Sequence, residues 1–104
     1  MKRYKVLLSH PATDDLQATS RYVAEELKEP ATAKKLVAKI REAVMSLSDL
    51  PTRHALVSNE RLAALGIRKL LVENFIVFYV ISDKDMAVKV VRILHGRRDW
   101  EQLL

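Results

Sequence analysis

Phe75-Ile76-Val77-Phe78-Tyr79-Val80-Ile81 is apolar at every position. The run is too short for a typical helix, and its β-branched and aromatic side chains suit a pleated strand. Side chains along a strand point alternately to its two faces, so a strand apolar throughout belongs at the centre of a sheet, buried on both sides. Working outward, residues 67–72 and 87–94 read as two more strands. Glu73-Asn74 and residues 82–86 are short enough to be hairpin connections, which makes the three strands an antiparallel meander.

Residues 4–8 read as a short strand with Tyr4, Val6 and Leu8 on one face. Ser9-His10-Pro11 then opens a helix, with serine as its cap and proline in its first turn. Asp14 and Asp15 sit near its start, where the helix dipole favours negative charge. Ala12, Leu16, Val23 and Leu27 form its apolar stripe, and it ends near Lys28-Glu29 because Pro30 restricts the residue before it. Pro30 opens a second helix. Ala33, Leu36, Val37, Ile40, Val44 and Leu47 recur there at three- and four-residue steps, opposite Lys34, Lys35, Lys39, Arg41 and Glu42. Two helices joined with almost no linker form an antiparallel hairpin. Residues 52–65 read as a loop with a helical turn at 59–65, and residues 97–104 as one helical turn or more. The expected fold is α+β in the order β-α-α-β-β-β: an antiparallel sheet with a helical hairpin packed on one face, the first strand pairing at its edge or centre. The hairpin covers one face only, so the C-terminal segment or a partner must cover the other.

Composition narrows the function. A chain of 104 residues makes one domain, 1–104, too short for separate catalytic and cofactor domains. With 49% hydrophobic residues and few glycines or prolines, it is no linker or low-complexity chain. No apolar run approaches the roughly 20 residues of a membrane span. Val6-Leu7-Leu8 is too short for a signal-peptide core, so a cytoplasmic protein with no membrane partner is expected. The absence of cysteine rules out disulfides and thiolate zinc sites. His10, His54 and His95 lack metal-ligand spacing, and there is no glycine-rich phosphate loop or serine elbow. No metal and no other cofactor is expected.

The net charge of +5 is uneven: residues 86–98 carry Lys89, Arg92, Arg97 and Arg98 and no acid. Arginine forks suit phosphate or carboxylate. In Arg92-Ile93-Leu94-His95-Gly96-Arg97-Arg98-Asp99-Trp100 a strand runs into a turn where Gly96 permits a positive φ and a close backbone approach. Strict alternation puts Arg92 on one face with Val88, Val90 and Leu94, and His95 on the other with Lys89, Val91 and Ile93. Arg68 and Lys69 point to opposite faces, and one of them joins Arg97 and Arg98 in a phosphate-binding patch. Alternatively, Arg68 and Arg92 are structural cations paired with Asp14, Asp15, Glu25 or Glu26. Trp100 either stacks on a base or plugs the core. One chemistry open to such a set is metal-free RNA cleavage, in which a base takes the 2′-OH proton, cations stabilise the phosphorus centre and an acid protonates the leaving oxygen.

Three segments carry a resemblance: Tyr4-Lys5-Val6-Leu7-Leu8-Ser9 with Ala12 and Asp15-Leu16; Gly66-Ile67-Arg68-Lys69-Leu70-Leu71-Val72-Glu73-Asn74-Phe75-Ile76-Val77-Phe78-Tyr79; and Arg92 to Asp99. In order and spacing, over nearly the whole chain, they resemble the RelE/ParE superfamily, the toxins of type II toxin–antitoxin modules. The resemblance implies growth arrest, a cognate antitoxin as partner, and operator DNA reached only through that antitoxin. RelE-like members cut ribosome-bound mRNA, whereas ParE-like members inhibit DNA gyrase and lack the nuclease site. Lys69 and Arg98 match two basic positions of the family, and with His95 they are the catalytic candidates if the chain is a nuclease. Arg68, Arg92, Arg97 and Arg98 are the candidates for binding nucleic acid or another target, and Trp100, Leu103 and Leu104 for binding the antitoxin. Ile76 stands where the nuclease branch often has an arginine, and the tail Glu101-Gln102-Leu103-Leu104 has no tyrosine or histidine. These departures, with the tightly joined hairpin, favour a ParE-like gyrase inhibitor over a RelE-like mRNA endonuclease. A third alternative is a non-toxic binding module kept as a co-repressor with its antitoxin.

Overall fold

Ser9 turns the chain from its first strand, β1 (Lys5–Leu8), into its first helix, α1 (His10–Arg21), in the computed structural model, which describes residues 3–104. Its hydroxyl accepts the Ala12 N–H at 3.1 Å, and Pro11 occupies the first turn, where no N–H is needed. Past Arg21 the helix widens into a π-helical turn, Tyr22–Glu26, in which the Leu27 N–H bonds the Tyr22 carbonyl. Lys28 ends it at a φ of 55°, a left-handed position usually given to glycine. The second helix, α2 (Pro30–Met45), returns at once. Short 3₁₀ turns at Ser46–Ser48 and Pro51–Arg53 lead to α3 (Glu60–Ala64), capped by Asn59. Then come β2 (Arg68–Val72), β3 (Phe75–Ser82), β4 (Ala87–His95) and α4 (Trp100–Leu103).

The sheet order is β1-β4-β3-β2. The meander β2-β3-β4 is antiparallel, as its short connections require. β1, however, lies against β4 and runs parallel to it, so the sheet is mixed and the expectation of a wholly antiparallel sheet is corrected. The reason lies beyond Leu8. Ser9 and Asp15 both bind the far end of β4, so β1 has to run toward that end as β4 does.

Two apolar clusters fill the two sides of the sheet. Under the helical hairpin, Ala12, Leu16, Ile40, Val44 and Leu47 pack on Val77, Tyr79, Val88, Val90 and Ile93. On the opposite side, Ile76, Phe78 and Leu94 meet Val57, Leu62 of α3 and Ile67, with Trp100, Leu103 and Leu104 packed against them. The second face is thus covered from within the chain, by α3 together with the C-terminal segment. Leu27 departs from its expected buried stripe: it follows the π-helical turn and is 48% exposed. Among the described residues, no helix is long and apolar enough to cross a membrane.

The loop before α3 is pinned to the sheet. The buried Tyr79 hydroxyl donates to the Pro51 carbonyl at 2.6 Å, and burial raises its pKa. His54 packs edge-on against the Tyr79 ring, its Nε2 enclosed without a hydrogen-bond partner. Burial, and then the Arg53 cation, lower the His54 pKa below its ordinary 6.5.

Two outcomes follow from this packing. Ile40 is fully buried at the centre of the hairpin cluster, so Ile40→Ala costs about 2–5 kcal/mol in chemical denaturation. That is a large share of the stability of so small a domain. For His54 the folded-state pKa lies below the unfolded one. The stability it contributes is present above pH 6.5 and is lost as pH falls through the folded value. The urea midpoint of the wild type should fall between pH 7 and pH 5, and His54→Phe should flatten that part of the curve.

Candidate functional site

The geometry of the basic C-terminal stretch is set by a bulge in β4. Phe78 lies opposite Arg92 but Tyr79 lies opposite Val90, so Val91 is one residue too many. Beyond it the alternation of faces is shifted. Val90 and Ile93 face the hairpin, whereas Val91 and Leu94 face α3 and α4. The expected grouping from strict alternation is therefore corrected: Arg92 parts from Val88 and Val90, and His95 keeps Ile93 but parts from Lys89 and Val91.

Arg92 is a structural cation. Its Nε and Nη2 donate to Asp15 Oδ2 and Oδ1 at 2.7 and 2.8 Å, and its Nη1 donates to the Leu103 carbonyl at 3.3 Å. The bond to Asp15 raises its pKa. Arg68 is also held internally, though by carbonyls and not by an acid: its Nη1 donates to His54 at 2.7 Å and Thr52 at 3.4 Å. The Arg92 fork is engaged on all three nitrogens, whereas Arg68 uses only Nη1, its Nε and Nη2 making no hydrogen bond among the described residues.

The turn after β4 is different. The Gly96 N–H bonds the Asn74 carbonyl at 2.8 Å, and a Cβ on Gly96 would stand 3.4 Å from that oxygen. Gly96 does not adopt a positive φ, so the turn makes no use of glycine's left-handed freedom. His95 Nδ1 accepts the Arg97 N–H at 3.1 Å, which leaves the proton of a neutral ring on Nε2. The ring packs edge-on against Phe75 at 5.3 Å. The Arg97 and Arg98 side chains are exposed and form no hydrogen bond or ion pair among the described residues. Beside them opens an apolar groove of about 510 Å³ between α1 with its π-helical turn and the ends of β3 and β4. Tyr22, Val23, Leu27, Phe75 and Ile93 line it, with His95 and Arg98 at its rim. Tyr22 is 56% exposed, a large aromatic left open to solvent. Asp15 also lines the groove, but its charge is already met by Arg92, so the apolar walls with the Arg98 cation suit an acidic, amphipathic segment.

Lys69 does not join this rim. It lies opposite Phe78, on the α3 side, whereas His95 lies opposite Phe75, on the hairpin side. The two are three residues apart along β3, about 10 Å, and on opposite faces. Trp100, Leu103 and Leu104 point inward: Trp100 rests on Phe78 with ring centroids 5.1 Å apart, which is the core-plugging role.

Residues 6–100 match the family model described as the ParE toxin of type II toxin–antitoxin systems, parDE. The chain belongs to the ParE toxin family. Its fold is shared by a chain of the chromosomal ParDE toxin–antitoxin system of P. aeruginosa, with a TM-score of 0.74 at 24% identity over 91% of this chain and 98% of that one. It is shared also by a chain of the RelBE2 toxin–antitoxin complex of Mycobacterium tuberculosis, at 0.66 and 23% over 91% and 93%. An arginine-substituted E. coli RelE in the free state gives 0.62 at 11% over 91% and 85%. No curated protein sequence matches. As a ParE-family toxin, the chain combines the expected α+β fold with a basic turn beside an apolar groove.

Held and unheld cations should behave differently on substitution. Asp15→Ala strands the half-buried Arg92 and the Ile93 N–H, and should cost about 3 kcal/mol in denaturant titration. Arg98→Ala touches no internal partner and should shift stability by less than about 0.5 kcal/mol.

Proposed function

We propose that this toxin arrests growth by docking on DNA gyrase and not by cutting RNA, and that its cognate antitoxin neutralises it with an acidic, amphipathic segment at the groove beside His95 and Arg98. The observation that carries the first part is the separation of the cations. Metal-free RNA cleavage needs a base, an acid and a charge stabiliser around one phosphate. Lys69 stands on one face of the sheet, and His95 and Arg98 at the end of the other. What remains is a binding surface: free arginine forks at the mouth of an apolar cleft. Membership of the ParE family supports the same branch. The antitoxin is supported by the relatives in P. aeruginosa and M. tuberculosis, which come from a toxin–antitoxin system and a toxin–antitoxin complex.

The test is expression without any antitoxin, with plasmid supercoiling and ribosome-associated mRNA measured in the same cells. Growth should stop, supercoiling should be lost, and mRNA should stay intact. Cleavage of mRNA at ribosomes would overturn the reading in favour of the nuclease. Survival with neither change would favour the co-repressor. A complex with the antitoxin should persist in moderate salt, because apolar burial in the groove and not exposed charge supplies most of the affinity. Loss of the complex on raising salt to a few tenths molar would count against the groove.

A further inference from the structure

We propose that residues 51–57 are a pH-gated strap, which covers the β2 edge of the sheet and opens when the His54 ring takes a proton. The inference does not depend on the toxin's target or on its antitoxin. The strap lies along the first half of β2 like a short added strand. Leu56 bridges to Arg68, the Val57 N–H bonds the Ile67 carbonyl at 3.0 Å, and the Lys69 N–H bonds the Ala55 carbonyl at 3.1 Å. While the strap is closed, those edge groups are paired and withheld from any other chain.

Polar contacts do much of the holding. Pro51 and Val57 are the buried apolar residues of the strap, and Leu56 is 43% exposed. The Tyr79 hydroxyl holds the Pro51 carbonyl, and one nitrogen of Arg68 holds the Thr52 and His54 carbonyls. Arg53 reaches back to the Asp49 carbonyl and to Ser46. Just ahead of the strap, Leu50 sits at a φ of 45°, a left-handed position unfavourable for a residue with a Cβ. A segment anchored in this way opens more readily than the core does.

His54 makes that opening depend on pH. Its ring stands edge-on to Tyr79, with centroids 6.4 Å apart, and its Nε2 is enclosed without a hydrogen-bond partner. A neutral ring can carry its one proton on Nδ1 and leave Nε2 as a bare lone pair. A protonated ring must place an N–H on both nitrogens, one of them where there is no acceptor. The surrounding charges have the same sign. Arg53 stands beside the ring in the strap, Arg68 reaches in from β2, and β3 contributes the uncharged Tyr79 phenol. Asp49, at the start of the loop, turns its carboxylate to Arg3 at 4.0 Å, and no acid pairs with His54 among the described residues. In the open strap water solvates the imidazolium, so protons favour opening. Opening uncovers the Ile67 carbonyl and the Lys69 N–H and frees the Arg68 guanidinium.

The test is amide hydrogen exchange on the full chain at pH 7.5 and pH 5.5, read residue by residue as protection factors so that the intrinsic pH dependence of exchange cancels. At both pH values the Val57 and Lys69 amides should be less protected than that of Val77 in the fully buried central strand. Low urea should leave them unchanged while it speeds Val77, because local opening exposes little surface. On acidification their protection should fall severalfold, with about tenfold as the ceiling, since an open ring of ordinary pKa 6.5 gains nearly one proton over that interval. His54→Phe keeps a ring without the nitrogens and should abolish the fall. If that variant does not fold, the wild-type His54 ring, followed by NMR, should titrate below pH 6.5 in step with the loss of protection. Equal protection of Val57, Lys69 and Val77, an undiminished fall in His54→Phe, or a ring titrating at or above pH 6.5 overturns the proposal.

Discussion

The carboxylate of Asp15 accepts three hydrogen bonds: two from the Arg92 fork and one, at 3.0 Å, from the Ile93 N–H. Six residues earlier, the Ser9 hydroxyl donates to the Val91 carbonyl at 2.8 Å. Together they satisfy the groups that a bulge at Val91 would otherwise leave unpaired beyond the reach of β1. Both cores depend on this. The bulge puts Ile93 under the hairpin and Leu94 under α3 and α4, and both are almost completely buried. Without it Ile93 and Leu94 would exchange faces, and Arg92 and His95 would change faces with them. The negative charge also compensates a guanidinium too enclosed to be solvated by water alone, and that guanidinium in turn holds the Leu103 carbonyl. One acid near the start of α1 thus sets the register of β4, the seat of the hairpin and the position of the tail.

Periodicity made much of this fold legible. The unbroken apolar run in β3 and the three- and four-residue steps of α2 each report burial directly. What escaped was set by contacts distant in sequence. Val90-Val91 reads as ordinary strand, because a bulge leaves no mark in a row of β-branched residues. The direction of β1 depends on where Ser9 and Asp15 bind, and neither residue announces it. The π-helical turn before Leu27 has no breaker residue within it. At the candidate site the basic residues themselves were visible, but not which were already taken. Four acids were available to Arg92, and only packing selects Asp15. Arg68 found carbonyls, an outcome that counting acids does not anticipate.

That sorting of cations organises the surface. Arg53 binds the Asp49 carbonyl and Ser46, Arg68 the loop carbonyls, and Arg92 an acid, so each serves the fold. Arg41, Arg97 and Arg98 serve nothing internal among the described residues, and Arg41 and Arg98 each stand at an apolar cleft. A guanidinium beside an apolar wall can keep its plane in water while its partner buries carbon against the wall, a favourable arrangement for a tight protein complex.

The parallel pairing of β1 with β4 has a consequence in time. Lys5 finds its partner at Ala87, so the first strand made waits for the last. Synthesis proceeds from the N-terminus at about 5–20 residues per second, and pairings this distant in sequence close late. Until β4 leaves the ribosome, Ser9, Asp15 and the hairpin's apolar face have nothing to pack on. A nascent chain of this toxin therefore has neither its groove nor its basic turn until β4 and the turn after it have been made, and a cell translating it is not exposed to a half-built groove.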